Sequence, residues 1–571
     1  MEAEKKLTGY PSIDKPWLKY YTKEAINAPL PECTIYEYLW YNNKDHLDDV
    51  ALIYFGKKIT YGELFENIDK TARAFSAVGV KSGDVVSLVM LNTPETICSI
   101  YAISKIGAIT NIIEPRTNAE LIIKRINDTN SKALLVHDVF FTKINASIVC
   151  KNNTINVSLS CSMPAITKIG FALTTGRKIA KPNLGISWHD FIKNHDKAEI
   201  TEVKYQKDTN AVIIYTGGTT GISKGAMLSN DAINNIVFHQ KSSNPCMVRH
   251  DSFLDIMPPF LAYGLACGVH IPLCVGMKSI LIPNFTPDKF AKLIAKYKPN
   301  HVLGVPAFWD SLSTAAEMQN FDLSFLKSAI TGGDRMVAET ENSINAFLKS
   351  HNSNVFVTKG YGMTEACSSV TFTNMIETNK PGSVGVPQLH NTFKVVDPET
   401  NKELKYGERG EICFFGPTMM LGYYRNSEET DKVIRIHEDG RKWIHSQDIG
   451  YIDEDGVVFI VDRIKRMIVR PDGHNVFPAQ IEAVLLQHPS VEQCCVVGLK
   501  NPNGDNGRIP TAFVVLKENA SDNMMEKDLD AFSKERLPER DVAMQYRFID
   551  KLPLTPVGKV DYRELEQQAE Q

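Results

Sequence analysis

The stretch YTGGTTGISKGAML, Tyr215 to Leu228, gathers glycines, hydroxyls and a lysine in a pattern that could hold phosphate. Gly217, Gly218 and Gly221 allow tight turns and close backbone approach to a ligand, and successive N–H groups in such turns form anion-binding nests. Thr216, Thr219, Thr220 and Ser223 add hydroxyl donors, and Lys224 adds a positive charge suited to phosphate. Ahead of them AVIIYT, Ala211 to Thr216, reads as a buried strand, and GAMLS behind them reads as a second strand rather than a helix start. The Walker pattern GxxxxGK[ST] wants a glycine before its lysine and a hydroxyl residue after it, whereas Ser223 precedes Lys224 and Gly225 follows. A P-loop NTPase is thus disfavoured; on this stretch alone a polyphosphate cradle and a glycine-rich surface loop both stay open.

Three later stretches carry complementary chemistry. YGMTE, Tyr361 to Glu365, offers an aromatic ring, Gly362 for close approach, the Thr364 hydroxyl and the Glu365 carboxylate. Glu365 could hold Mg2+, a hard ion that takes carboxylate and phosphate oxygens. IHSQDIG and VDRIKR supply Asp448 and Arg463; an aspartate can accept from both hydroxyls of a ribose, and an arginine can reinforce that hold. Taken singly, the first is equally a helix-capping Thr-Glu and the other two are surface turns.

The elements that must position these residues follow from length and periodicity. At 571 residues the chain exceeds a single core, which stops growing at roughly 250–300 residues, so one large and one small domain are expected. With 63 basic and 67 acidic residues, a formal charge of −4 and no long basic run, nothing asks for a nucleic acid partner. The polar start MEAEKKLTGYPSIDKPW lacks a secretory signal and predicts a cytoplasmic protein. FLAYGLACGVHIPLCVGM, Phe260 to Met277, holds a histidine, a proline and three glycines and is short for a span, so a buried strand and helix are expected and no transmembrane segment. Eleven cysteines without a CxxC pair read as reduced, mostly buried thiols, with Cys494 and Cys495 on opposite faces of a strand.

From Thr34 to about Ile113 amphipathic helices alternate with apolar runs; TYGELFENIDKTARAFSAVGV sets Leu64, Ile68, Ala72, Phe75 and Val78 at helical spacing, and DVVSLVML reads as a buried strand. This alternation predicts an α/β fold with parallel sheets covered by helices. Within 152–207, MPAITKIGFALTTGRKIAKPN reads as a surface helix and loop; a peripheral membrane contact is the alternative, set second because the basic residues do not fill one clean face. A boundary is expected near Asp462, just after an Asp455-Gly456 hairpin turn. Beyond it come a hairpin, a helix starting near Pro478, two strands, a helix and a tail, a small α+β module. The division is therefore a large N-terminal domain, 1–462, and a small C-terminal domain, 463–571.

Together and in this order the stretches resemble the AMP-forming adenylate superfamily of acyl-CoA synthetases, aryl-CoA ligases, peptide-synthetase adenylation domains and luciferases. The resemblance runs from TYGEL at Thr60 to LPLTPVGKVDYREL at Leu552 to Leu565. It implies a two-step reaction in which a small-molecule carboxylic acid and ATP give an acyl-adenylate and pyrophosphate, and a thiol, usually of coenzyme A, then takes the acyl group. It implies that Thr216 to Lys224 wrap the β- and γ-phosphates, that Glu365 binds Mg2+, and that Thr364 contacts the α-phosphate. Gly332, Gly333 and Asp334 of TGGDRM would frame the adenine with Tyr361, while Asp448 and Arg463 would grip the ribose. Lys559 would bridge the carboxylate and α-phosphate oxygens. The small domain would be mobile, rotating about Lys465 to present first Lys559 and then its RPDGHNV hairpin.

The sequence departs from the family at Gly217, Ser223, Gln447 and Gln480, where serine, proline, glycine and glutamate are usual. No charged residue of the reaction is lost, which weighs against a nucleotide-binding homologue without turnover. By the same resemblance MPPFLAYGL would bring Phe260, Leu261 and Tyr263 to the acyl pocket, with Leu261 where histidine is common, and the neighbouring segments would add Ala307 and Ala366. The segment has no acid to pair a substrate ammonium, and its apolar character suits an apolar acid, with a fatty acid first and an aryl or steroid acid as alternatives. Trp309 either shortens that pocket or packs in the core. Coenzyme A is the expected acceptor and a separate carrier protein the alternative; oligomeric state is left open.

Overall fold

The computed structural model describes residues 7–144, 148, 150, 153–179, 185–195, 197–201, 203–216, 223–373, 375–502, 504, 507–517, 520, 526–553 and 560–570. Local capping sets its helices. Thr60 Oγ1 accepts the Glu63 N–H at 3.1 Å while the Glu63 carboxylate accepts the Thr60 N–H at 2.8 Å. From this reciprocal cap the helix Tyr61–Ala77 buries Leu64, Ile68, Ala72 and Phe75, the residues the spacing singled out. Val78 lies one residue beyond, as the half-buried C-terminal cap.

Two large sheets carry the N-terminal part. In the first, Ile186–Ser187, Thr154–Val157, Ala133–His137, Val85–Val89, Ile109–Ile112 and Asn210–Tyr215 run parallel in that spatial order. Gly225–Ser229 then joins antiparallel, and Gly422–Tyr423 closes that edge. Every residue of Val85–Val89 and Ala133–His137 is buried, as strands covered on both faces must be. In the second sheet Val50–Tyr54, Lys278–Leu281, Ser252–Asp255, His301–Gly304, Ser328–Gly332 and Val357–Met363 run parallel, with antiparallel strands at both edges. One core joins them: Leu52 and Phe253 of the second sheet share it with Val86 and Val212 of the first and with Ile97 and Tyr101 of the helix Pro94–Lys105.

A third, antiparallel sheet was not foreseen. It orders Thr392–Val396, Gly410–Phe415, Lys442–Ile452 and Ile434–Ile436, with Val458–Arg463 pairing the later part of Lys442–Ile452. Short hairpins such as the one turning at Gly456, where φ is +86°, connect its strands, so the helical periodicity that announces parallel sheets is absent here. The small C-terminal domain pairs Val491–Lys500 with Arg508–Leu516 and Gln545–Phe548, and packs the helices Pro478–Leu485, Glu526–Lys534 and Tyr562–Glu570 around them. Cys494 enters the core that contains Ile481 and Cys495 the one that contains Leu565, so the two thiols do face opposite ways.

Residues 260–277 differ from expectation. They form two successive helical segments, Tyr263–His270 and Ile271–Val275, and the strand begins only at Lys278. The segment is buried on all sides, and a helix apolar all round leaves no period to distinguish it from a strand. No helix among the described residues is long and apolar enough to cross a membrane. Ala165–Leu173 is the surface helix expected there, followed by a turn at Thr175–Lys178.

Candidate active site

The strands Asn210–Tyr215, Ser328–Gly332 and Val357–Met363 end at the residues singled out above, as sites in open α/β sheets do at carboxyl ends of strands. Gly332 is paired with Gly360 across the second sheet, and Tyr263 leans over it: a Cβ added to Gly332 would lie 3.2 Å from the Tyr263 hydroxyl. That hydroxyl donates to the Gly304 carbonyl at 3.2 Å. Gly333 follows in the left-handed region at φ +78°, and the exposed Asp334 accepts the Arg335 N–H at 2.8 Å. Gly362 makes its close approach to its own sheet, since a Cβ there would stand 1.5 Å from the Ser368 carbonyl oxygen.

Asp448 is the meeting point of two sheets. The Tyr361 hydroxyl donates to its Oδ2 at 2.6 Å, and Arg463 Nε lies 3.1 Å from its Oδ1, the two charged residues being direct partners across the third sheet. Burial pushes the Asp448 carboxyl up, and Arg463 and then Tyr361 pull it the other way. The turn before it shows why glycine is usual where this chain has glutamine. Gln447 has φ +60°, the left-handed region that glycine enters freely, and its N–H is held by Glu411 Oε1 at 2.9 Å. Glu411 Oε2 in turn meets His445 Nδ1 at 2.8 Å, and His445 Nε2 meets His437 Nε2 at 2.8 Å.

Glu365 sits in the turn Thr364–Ala366 that follows the strand Val357–Met363. Its Oε1 accepts the Tyr423 hydroxyl at 2.5 Å, and its carbonyl accepts the Met420 N–H at 2.8 Å. A buried carboxylate fixed at one oxygen, beside the Thr364 hydroxyl, is a hard donor set of the kind Mg2+ takes together with phosphate oxygens, so the residues present fit that ion. Lys224 lies over the same Tyr423 ring, 4.6 Å from its centroid, and its Nζ is 2.6 Å from Glu429 Oε2. The Lys224 and Lys432 ammonium groups hold the Glu429 carboxyl down at about 2. Thr216 closes the neck of the glycine-rich stretch: its carbonyl accepts from Ser223 Oγ at 2.5 Å, and its Oγ1 accepts the Lys224 N–H at 3.2 Å. Partial loss of solvent, and after it the Lys224 charge, lowers the Lys465 ammonium, which lies in the turn Ile464–Arg466.

Gly217, Gly218, Thr219, Thr220 and Gly221, and likewise Lys559, lie outside the described residues. Of the residues expected at the acyl pocket, Phe260 and Ala366 are buried, Leu261 and Tyr263 half-buried, and Ala307 exposed at the start of the helix Pro306–Asp310. Cys267 of the helix Tyr263–His270 meets Ser368, two residues past Ala366, at 3.2 Å, which joins these two segments. Trp309 takes its core role: it is 1% exposed and donates to the Ile330 carbonyl at 3.0 Å. Sequence reasoning missed Tyr423, Glu429 and Glu411. The one available signal was NSEE at Asn426 to Glu429, where Asn426 Oδ1 accepts the Glu429 N–H at 3.1 Å as a helix cap.

Family comparison decides what this geometry belongs to. The family described as AMP-binding enzyme matches residues 39–424, and the AMP-binding enzyme C-terminal domain matches residues 480–559. The chain belongs to the AMP-binding enzyme family. Among relatives of this AMP-binding enzyme, a Bacillus subtilis long-chain-fatty-acid–CoA ligase is 31% identical over 96% of this chain and 97% of its own. A probable 4-coumarate–CoA ligase of Dictyostelium discoideum is also 31% identical, over 89% of this chain and 90% of its own. In structure, the ATP-bound RpMatB-BxBclM chimera B1 superposes with a TM-score of 0.78 at 26% identity, over 95% of this chain and 99% of that one. The AMP-binding enzyme is thus an AMP-forming acid–thiol ligase of the acyl- and aryl-CoA ligase kind, for which ATP, coenzyme A and Mg2+ are the expected reactants and ion.

Proposed function

We propose that this ligase activates an apolar carboxylic acid, a fatty acid first, as acyl-AMP and passes the acyl group to coenzyme A. The observation that carries the reading is the convergence of Tyr361, Asp448 and Arg463 beside Glu365 and Lys224. Asp448 and Arg463 would hold the ribose, Tyr361 with Gly332, Gly333 and Asp334 the adenine, Thr364 the α-phosphate, and Thr216 to Lys224 the departing phosphates. Mg2+ at Glu365 would offset the charge of the phosphate oxygens. A carboxylate oxygen attacks the α-phosphorus while the bond to the bridging oxygen breaks and pyrophosphate leaves. The thiol sulfur then attacks the acyl carbon, its proton passes to solvent, and AMP leaves.

Lys559 would balance the charge that builds in the first step, since such displacements rest on positioning and charge stabilisation. It would arrive on a mobile domain, 463–571, that turns about Lys465 against the body 1–462. The likeness to the Bacillus ligase and the apolar wall of Phe260, Leu261, Tyr263 and Ala366 support a fatty acid. An aryl acid is the second reading, favoured by the equal identity of the Dictyostelium relative. Pyrophosphate release across a panel of aliphatic and aryl acids, with and without coenzyme A, tests both. Release with aliphatic acids and thioester formation are expected. Release with no acid sinks the proposal, preference for aryl acids moves it to the second reading, and release without a thioester points to a carrier protein.

A further inference from the structure

The helix Ala165–Leu173 buries none of its residues. Ile166, Ile169 and Leu173 stand 87%, 62% and 55% exposed. Spaced by three and four, they fall on one face with Gly170, while Phe171 on the other side packs against the main core. Single exposed apolar residues are ordinary, but three large aliphatics along one helical face form a patch that marks an interaction site.

The sequence on either side of this helix is one-sided in charge. From Val139 to His189 the sequence has Lys143, Lys151, Lys168, Arg177, Lys178 and Lys181 and no Asp or Glu, in a chain of formal charge −4. Lys168, Arg177 and Lys178 are exposed at the flank and carboxyl end of the helix. A helix with an apolar outer face and basic flanks suits a surface that is apolar inside and anionic outside.

We propose that this face docks on an anionic lipid bilayer. Ile166, Ile169 and Leu173 enter the boundary between headgroups and acyl chains, and Lys168, Arg177 and Lys178 meet the lipid phosphates. A second copy of the chain fits less well, because a two-fold contact through this face would set the same cations against each other. The proposal does not depend on which acid the enzyme activates.

Co-sedimentation of the full chain with vesicles of phosphatidylcholine alone, and of phosphatidylcholine mixed with phosphatidylglycerol, tests it. Binding to the mixed vesicles is expected, weakened by high salt and, by about tenfold or more, by Lys168→Gln, Arg177→Gln and Lys178→Gln together, each cation near an anionic surface adding on the order of a few-fold. Ile166→Ser, Ile169→Ser and Leu173→Ser together should lower binding by about tenfold or more with an unchanged melting temperature, since these side chains are exposed. If the triple variant melts early, Ile166→Ser alone, at the most exposed position, serves with a smaller loss. A wild-type chain that stays in the supernatant overturns the proposal, and so does binding indifferent to the serine changes or to lipid charge. An oligomer that the serine changes disperse, with no vesicle binding, overturns it in favour of a second copy.

Discussion

Lys224 Nζ lies 2.6 Å from Glu429 Oε2, so the cation beyond the glycine-rich stretch is bonded to the first turn of the helix Ser427–Val433, some two hundred residues away in sequence. The same Tyr423 ring that Lys224 covers carries the hydroxyl held by Glu365. The groups proposed for phosphate and for metal are therefore paired within the protein.

Glu429→Gln should free Lys224 for phosphate. Partly exposed ion pairs are worth up to about 1 kcal/mol, so KM for ATP should fall by roughly two- to fivefold with kcat little changed. Steady-state pyrophosphate release against ATP concentration checks this, and a higher KM would mean that Glu429 orients Lys224 rather than detains it.

Tyr423→Phe removes a hydrogen bond to the Glu365 carboxylate, a type worth about 1.5–3 kcal/mol. If that bond fixes the carboxylate for Mg2+, half-saturation by the ion should rise about tenfold or more while the acid KM holds. Titration of activity with Mg2+ reads the shift directly; an unmoved titration would leave Tyr423 a packing residue.

At Gln447, φ is +60°, and a non-glycine residue there costs roughly 1–2 kcal/mol, of which glycine would return part to the entropy of the unfolded chain. Gln447→Gly should thus gain about 0.5 kcal/mol, whereas Gln447→Val should lose about 1–2 kcal/mol. Urea denaturation distinguishes the two directions.

Lys559→Ala should lower adenylation by about a hundredfold or more and leave thioester formation from supplied acyl-adenylate within a few-fold. Equal loss in both half-reactions would refute the proposed role.

Burial pushes His137, His239 and His270 down to about 3 from the ordinary 6.5. His137 shows why: its Nδ1 accepts the Leu91 N–H at 2.9 Å, a bond open only to an unprotonated nitrogen. Between these values the unfolded chain binds protons that the folded one refuses. Stability should therefore be full above about pH 6.5 and fall as pH drops toward 3, by up to about 1.4 kcal/mol per pH unit for each histidine. Melting temperature across that range gives the slope, and a flat profile would contradict the buried, neutral assignment.

Helices and parallel strands were legible where periodicity was strong, as in Tyr61–Ala77. That Tyr361, Asp448 and Arg463 serve one nucleotide was implied by the resemblance alone, since each stretch taken singly read as a cap or a surface turn. Tyr361 was placed at the adenine and Asp448 at the ribose, and the bond between them could not be read, since nothing local encodes a contact across two sheets. Tyr423 and Glu429 escaped for the same reason: a tyrosine and a glutamate in a polar turn have no spacing that points to Glu365, 58 residues upstream, or to Lys224, 205 residues upstream. The third sheet escaped because short antiparallel hairpins leave only weak alternation.

The edge strand Gly422–Tyr423 has a consequence for how the chain is made. Its partner Gly225–Ser229 is synthesised nearly two hundred residues earlier and so emerges with one hydrogen-bonding edge unpaired. At translation speeds of roughly 5–20 residues per second that edge stays open for about 10–40 s. The segment that finishes the first sheet is also the one that brings Tyr423 to Glu365, so a nascent chain cannot assemble the pairs at Lys224 and Glu365 until the ribosome has passed both.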